Sequence, residues 1–499
     1  MQTMIRDLTK GKVVPQLLRF VLPLFLSNAL QAVYNLVDMI VVGNNVGKTG
    51  MSAVSIGGDL LHLLTFIAIG FSSAGQVIIA RAVGEKKQDE IKKTIGTMFS
   101  FLTLASIGMA VICFFLREKA LDWLNTPASS RAFAMDYFVT CIFGLLFIYG
   151  YNIVSAILRG MGDSRRPFIF IGVAAVLNMI LDIIFVKYFP FERKVFGAAL
   201  ATVIGQGVSF VASIIYLYIK REHFGFDFKL KSFRIDGKAF KRLLGLGIPM
   251  AIQSAAINLS KIVLMSWINL FDVEYSALAG IFNKMNVVSG VISQSFTTAG
   301  STMVGQNLGA REYRRTVRII ATILSFVLGF ATLASLALFL WSDRIYGLFT
   351  SDTDVLSIAG VLTLPIILNF FGAATRSGAF SLINGSGRPK LNLMVAIIDG
   401  VIARIGLAAL LGFYFHMDCK GFWLGDSLAG FIPFLIGLTF FLSGKWKDTR
   451  PQAVSASQKD TCTPPDSGSQ KDTRTPPDSG SQKDTRTPPD SGSQKDTRT

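Results

Sequence analysis

Twelve stretches of this chain are too long and too apolar to belong to a protein that folds in water. A bilayer core about 30 Å thick takes about 20 helical residues to cross. Pro15–Val42, Met51–Val83, Thr94–Leu116, Ala132–Leu158, Pro167–Phe189 and Phe196–Ile219 all reach that length. Leu243–Phe271, Ser276–Val304, Thr316–Trp341, Val355–Ile383, Leu391–Phe415 and Phe422–Ser443 follow. The composition agrees. Only 16% of residues are charged, against about 25% in soluble domains. Ala, Leu, Ile and Gly dominate the runs and the alternation of a membrane barrel is absent. The expected fold is an all-α integral membrane protein of twelve transmembrane helices. The first run lacks a small-residue cleavage site, so it is expected to be retained as a helix.

The charge that remains is unevenly placed. A net charge of +17 would by itself suit nucleic acid, but its distribution follows the spans. Lys and Arg number 25 in the amino-terminal segment and every second loop after the first, against 9 in the intervening loops. That is the positive-inside pattern, and it puts both termini in the cytoplasm of a multi-pass cell-membrane protein. The charge reports topology, and no nucleic-acid partner is expected. The four cysteines form no C-x-x-C pair and the three histidines no H-E-x-x-H, so neither a disulfide framework nor a zinc peptidase is indicated.

The chain also repeats itself. "ARAVGEKK" (Ala80 to Lys87) resembles "GQNLGARE" (Gly305 to Glu312), and the turn "RGMGDSRRP" (Arg159 to Pro167) has a relative in "NGSGRP" (Asn384 to Pro389). Gly84 and Gly160 stand 76 residues apart, as do Gly309 and Gly385. "FVLPLFLSNALQAVYN" matches "LGIPMAIQSAAINLS", with Pro23 and Pro249 offset by 226. The expected organisation is an amino-terminal six-helix lobe over 1–219, a basic cytoplasmic linker over 220–242, a carboxy-terminal six-helix lobe over 243–443 and a tail over 444–499. Six spans are an even number, so both halves cross in the same sense, related by an axis along the membrane normal. Each bundle needs its own turn, where glycines permit unusual backbone angles and a proline opens the next helix. In the tail, "SQKDTCTPPDSG" at 457–468 recurs twice as "SQKDTRTPPDSG". Without an apolar face it is expected to be disordered.

Polar residues inside the spans need a reason, since a carboxylate at bilayer depth costs roughly 2.5–3.5 kcal/mol on insertion scales. In span one, Asn28, Gln31, Asn35 and Asp38 share a helical face, flanked by Tyr34. Asp182 lies midway through span five, one turn after Asn178. Thr202, Gln206 and Ser209 form a stripe on span six, and span four contributes Asn152 and Ser155. Interhelical hydrogen bonding, about 0.6–2 kcal/mol per contact, accounts for the neutral groups. Amides would do that job without an ionisation cost, so Asp38 and Asp182 are expected to have a functional role. A carboxyl removed from water beside another carboxyl favours its protonated form, which suits uptake of H⁺ on one side and release on the other. An ionised pair beside the oxygens of Asn178 and Thr202 suits Na⁺ instead.

The second half does not copy this arrangement. Counting from the matching prolines, Leu264 stands for Asp38 and Arg404 for Asp182. Lys261, Asp399 and Arg404 read as its ionisable residues, with Gln253 and Asn258 nearby. Asp399 and Arg404, five residues apart, are poorly placed to pair on one regular helix. Lys261 and Arg404 read as snorkelling or structural ion-pairing groups. The asymmetry puts the coupling site in the first lobe.

At these residues the chain resembles the multidrug and toxic compound extrusion (MATE) transporters, over about residues 1–443. The likeness rests on "YNLVDMIVVG" in span one, the "VGQNLGARE" turn, the "LRGMGDSRRP" hinge, and "LN…LD" followed by "GAALAT" in spans five and six. It implies two six-helix lobes around a central cavity that opens alternately to each side, exporting amphipathic, often cationic compounds in exchange for H⁺ or Na⁺. It places this chain with the prokaryotic branch that has a first-lobe aspartate site. There the essential aspartate of span one matches Asp38, the Asn and Asp of span five match Asn178 and Asp182, and the Thr of span six matches Thr202. Gln31, Tyr34 and Asn152 fall where relatives line the first-lobe cavity, and Asn35 is grouped with them. Another branch carries an acid in span seven; here that region reads "SAAINLSKIV". The repeat tail is foreign to the family.

The expected function is a secondary active antiporter for small organic compounds, coupled through Asp38 and Asp182. It needs no cofactor, meets only cargo and membrane lipids as partners, and acts as a monomer. The alternative is a lipid-linked saccharide flippase of the same superfamily, favoured by Lys261, Lys284 and Arg404 and opposed by the two aspartates. An intramembrane enzyme would need a nucleophile–base or metal arrangement that the sequence lacks.

Overall fold

The computed structural model describes residues 6–448. From residue 449 onward the expected tail lies outside the described residues. The first six long helices are α1 (Val13–Val46), α2 (Lys48–Gly84), α3 (Gln88–Trp123), α4 (Ala128–Gly160), α5 (Arg165–Tyr188) and α6 (Lys194–Ile219). The next six segments are α7 (Gly237–Ile268), α8 (Val273–Gly309), α9 (Tyr313–Leu340), α10 (Thr353–Ser386), α11 (Pro389–Tyr414) and α12 (Asp418–Leu442). The last three are interrupted, α10 by a 3-10 turn at Ala359–Leu362. α11 contains a π-helical stretch, Ile398–Ala403, and α12 is interrupted between Ala429 and Ile432.

Eleven of the twelve segments are long and apolar enough to cross a membrane by length and composition. The exception is α8. Its later half carries Ser295, Thr297, Ser301, Thr302, Gln306 and Asn307, all buried against protein. On the outer surface the pattern reverses: Phe115 is 77% and Leu333 68% exposed. A belt of such side chains would be an association liability in water; here it faces lipid.

Local sequence fixes the helix ends. The Asp236 carboxylate accepts from the backbone N–H groups of Lys238 (3.1 Å) and Ala239 (2.9 Å), capping α7. Pro389 opens α11, where its missing N–H would have had no intrahelical partner. The two hinge turns need left-handed backbone at Gly162 (φ +87°) and Gly387 (φ +64°), which glycine adopts at little cost.

The packing repeats as the sequence does. In the first lobe α2 lies on α4, α4 on α6, α5 on α6 and α1 on α5. In the second, α8 lies on α10, α10 on α12, α11 on α12 and α7 on α11. Between lobes, α2 meets α7 and α8, and α1 meets α8. The result is a two-lobe, twelve-helix bundle in which each of these four first-lobe pairings has its counterpart six helices later.

Candidate functional site

Four helices of the first lobe converge on the two aspartates. Asp38 of α1 is 5% exposed and Asp182 of α5 is fully buried. The Tyr137 hydroxyl of α4 donates to Asp38 Oδ2 at 3.3 Å. Asn178 Nδ2 donates to Thr202 Oγ1 at 3.3 Å, tying α5 to α6. Asp182 lies within the electrostatic reach of Asp38. Tyr34 of α1 lies in the neighbourhood of both carboxylates, of Tyr151 of α4 and of Gln206 of α6. Asp38 Oδ1, Asn178 Oδ1 and both Asp182 carboxylate oxygens are buried without a hydrogen-bond partner among the described residues. Buried carboxylate oxygens left unpaired are costly. An added proton would relieve the cost, and so would an oxygen-seeking cation, since hard cations take oxygen ligands.

The other expected residues divide. Asn28 Nδ2 donates across the lobe boundary to Ser295 Oγ at 3.0 Å. Asn152 Nδ2 bonds the Ile148 carbonyl of its own helix at 2.8 Å. Gln31 is half-buried and Asn35 is exposed. The polar stripe of α1 therefore serves two purposes: one end joins the lobes, and the other brings Asp38 to the Tyr137 hydroxyl of α4. Tyr137 escaped the sequence reading, although a phenol hydroxyl at span depth is itself a sign of a buried acceptor.

The second lobe corrects two expectations. Asp399 and Arg404 do pair on one helix, at 3.3 Å. A π-helical turn closes i→i+5 bonds and so brings residues five apart together, and Ile398–Ala403 is such a turn. Arg404 is thus an ion-paired core group, 2% exposed, and does not snorkel. The ionisable set is also larger than Lys261, Asp399 and Arg404. Arg376 of α10 reaches Asp399 at 3.2 Å, and Arg404 also pairs with Asp426 of α12. Both added residues were visible as charges within spans ten and twelve.

A second polar assembly closes one end of the bundle. Gln76 of α2 donates to Thr302 Oγ1 of α8 at 2.7 Å and accepts from Arg159 Nε of α4 at 2.9 Å. Gln306 of α8 donates to the Gly160 carbonyl at 3.1 Å and accepts from the Leu8 N–H at 3.1 Å. Asn307 donates to the Leu8 carbonyl at 3.2 Å. All these contacts lie at the hinge-turn end. The lobes are joined at the hinge-turn end.

A sequence profile of the family described as MatE matches residues 23–184 and again 249–410. Each match begins at one of the two anchor prolines. The probable multidrug resistance protein YoeA of Bacillus subtilis (strain 168) is 28% identical over 424 residues, covering 84% of this chain and 91% of its own. The probable multidrug resistance protein YpnP of the same organism is 27% identical over 450 residues, covering 88% and 97%. A solved structure described as an outward-facing conformation of a multidrug resistance MATE family transporter superposes with a TM-score of 0.79 at 20% identity. That match covers 90% of this chain and 100% of the other, and it is a likeness of fold.

Proposed function

Because this chain belongs to the MatE family of multi-pass membrane transporters, we propose that it exports small amphipathic, often cationic organic compounds from the cell in exchange for H⁺ or Na⁺. The observation that supports the coupling is the burial of Asp38 and Asp182 with carboxylate oxygens that have no hydrogen-bond partner among the described residues. The names of the relatives, both probable multidrug resistance proteins, support the cargo class. The lobes divide at the basic segment 220–242, into 1–219 and 243–443, and the protein acts as a monomer in the plasma membrane.

The positive-inside rule puts the hinge turns and both termini in the cytoplasm. A bundle whose lobes are tied together at the hinge end is closed on the cytoplasmic side, as an outward-facing state requires. Two ions entering from outside, one for each carboxylate, neutralise the Asp38–Asp182 pair and remove the cost of two unpaired buried acids. Their arrival alters the Tyr137–Asp38 and Asn178–Thr202 bonds, which tie α1, α4, α5 and α6 together, so the pair's charge state is transmitted to helix packing. Rocking about the contacts of α1 and α2 with α7 and α8 then exposes the ions, and the cargo site, to the cytoplasm.

The energetics set the stoichiometry. A charge crossing 100 mV is worth about 2.3 kcal/mol, and a tenfold gradient about 1.4 kcal/mol. With a monovalent cationic cargo and one-for-one exchange the potential cancels, and only the ion gradient drives export. Two ions per cargo restore the electrical term, and the first lobe offers two carboxylates, Asp38 and Asp182, to carry them. Proteoliposomes loaded with a cationic dye, given a proton or a sodium gradient separately, test this reading. Dye should move uphill with one of the two ions; movement with neither would overturn it.

A further inference from the structure

We propose that the second lobe holds an anion subsite, in which Lys261 and Arg376 receive the carboxylate of an amphoteric cargo. The inference rests on the export reading and narrows its substrate class. The repeat register places the subsite. "GAALAT" (Gly197 to Thr202) aligns with "GFWLGD" (Gly421 to Asp426), so Asp426 stands where Thr202 does. Arg404 stands for Asp182, and Lys261 for Asn35 by the proline offset. Counting from Gly160 and Gly385, Arg376 stands for Tyr151. The same four helices that surround the acids in one lobe surround this cluster in the other, and the charge is inverted.

The second-lobe cluster holds three bases and two acids. Arg404 pairs with both acids and Arg376 with Asp399. Lys261 makes no ion pair among the described residues, although it lies in the field of all four groups. One positive charge is therefore uncompensated in a site withdrawn from water, where an unpaired ion is costly. Asp399, Arg404 and Asp426 are almost wholly enclosed, whereas Arg376 keeps 18% of its side chain exposed and Lys261 is half-buried. Arg376 Nε and Arg404 Nε are both buried without a partner. Of the three bases, Arg376 and Lys261 are the ones that keep exposure for an entering ligand. A planar guanidinium fork beside an ammonium suits a carboxylate. A cargo with a cationic end drawn to the acids of the first lobe and an anionic end on Lys261 would bridge the two lobes.

The matched dyes rhodamine 110, which carries a free carboxylate, and rhodamine 123, its methyl ester, isolate the anion. Their affinities for the purified full-length protein are read by fluorescence anisotropy. The parent should bind the acid about tenfold more tightly than the ester, the value of one charge-assisted hydrogen bond. Lys261→Met should abolish that preference and Lys261→Arg should keep it, with Lys261→Gln as a second neutral variant should the methionine protein fail to fold. Lack of binding of the acid to the parent, equal binding of the two dyes, or a preference surviving in the neutral variant would each overturn the subsite. Gradient-driven efflux of the ester, a plain cation, reports on the export reading by itself.

Discussion

Gly84, closing α2, and Gly309, closing α8, each lie against the backbone of the other's helix. A Cβ on Gly84 would meet the Gln306 carbonyl, and one on Gly309 would meet the Arg81 carbonyl. The two positions are repeats of one another, so the contact is reciprocal, and backbone on both sides leaves no flexible atom to yield. Gly84→Ala and Gly309→Ala should each push the lobes apart at the hinge end. Spin labels on Arg165→Cys and Lys390→Cys, one on each hinge, should report a longer distance in both alanine variants. An unchanged distance distribution would count against the contact as the closing device.

One amide at the same end serves three chain segments. Gln306 joins α8 to the Gly160 carbonyl that ends α4 and to the Leu8 N–H of the amino-terminal arm. Gln306→Leu leaves both groups buried and unmatched, at about 1–3 kcal/mol each. Amide exchange at Leu8 should accelerate by at least tenfold, as read by hydrogen–deuterium exchange.

Glu85, next to Gly84, makes the stability of this end sensitive to acid. Burial by itself would raise its carboxyl, but hydrogen bonds from Lys87 and Arg81 outweigh that and hold it below the ordinary 4.5. The ion pairs measure 2.7 Å to Lys87 and 3.1 Å to Arg81. A depressed carboxyl contributes stability above its unfolded value, and that stability is lost as pH falls through the lower folded value. Glu85→Gln should therefore lower Tm at pH 7, and the difference from the parent should vanish as pH drops below 4.5.

Arg404 holds two buried carboxylates, those of Asp399 and Asp426. Removing one partner of a buried pair costs about 3–5 kcal/mol, because the remaining charge stays enclosed. Arg404→Met should lower Tm in detergent sharply, and adding Asp426→Asn should recover part of the loss. Thermal denaturation of the three proteins gives the comparison.

The sequence carried the architecture because lipid imposes so few solutions: long apolar runs, alternating basic loops and two anchor prolines left little else to decide. Asp38 and Asp182 were legible for the same reason, since a carboxylate inside a span needs cause. Tyr137 was not, because aromatic residues are common in spans and only the fold brings this one to Asp38. The Asp399–Arg404 pair was hidden by local geometry. A count of five excludes neighbours on an α-helix, and the sequence gives no warning of the π turn that makes them neighbours. Asn28 shared a face with Asp38 yet bonds Ser295 across the lobe boundary, which is set by tertiary packing far along the chain.

The most direct test of the account replaces Asp38 and Asp182, separately, by asparagine in proteoliposomes that carry the coupling gradient. Each substitution keeps the size and hydrogen-bonding capacity of the side chain and removes only its ability to exchange charge. Both variants should still bind the cationic dye and yet fail to concentrate it against its gradient. Uphill dye transport at the parent's rate by both variants would contradict the claim that these two acids trade an ion for cargo.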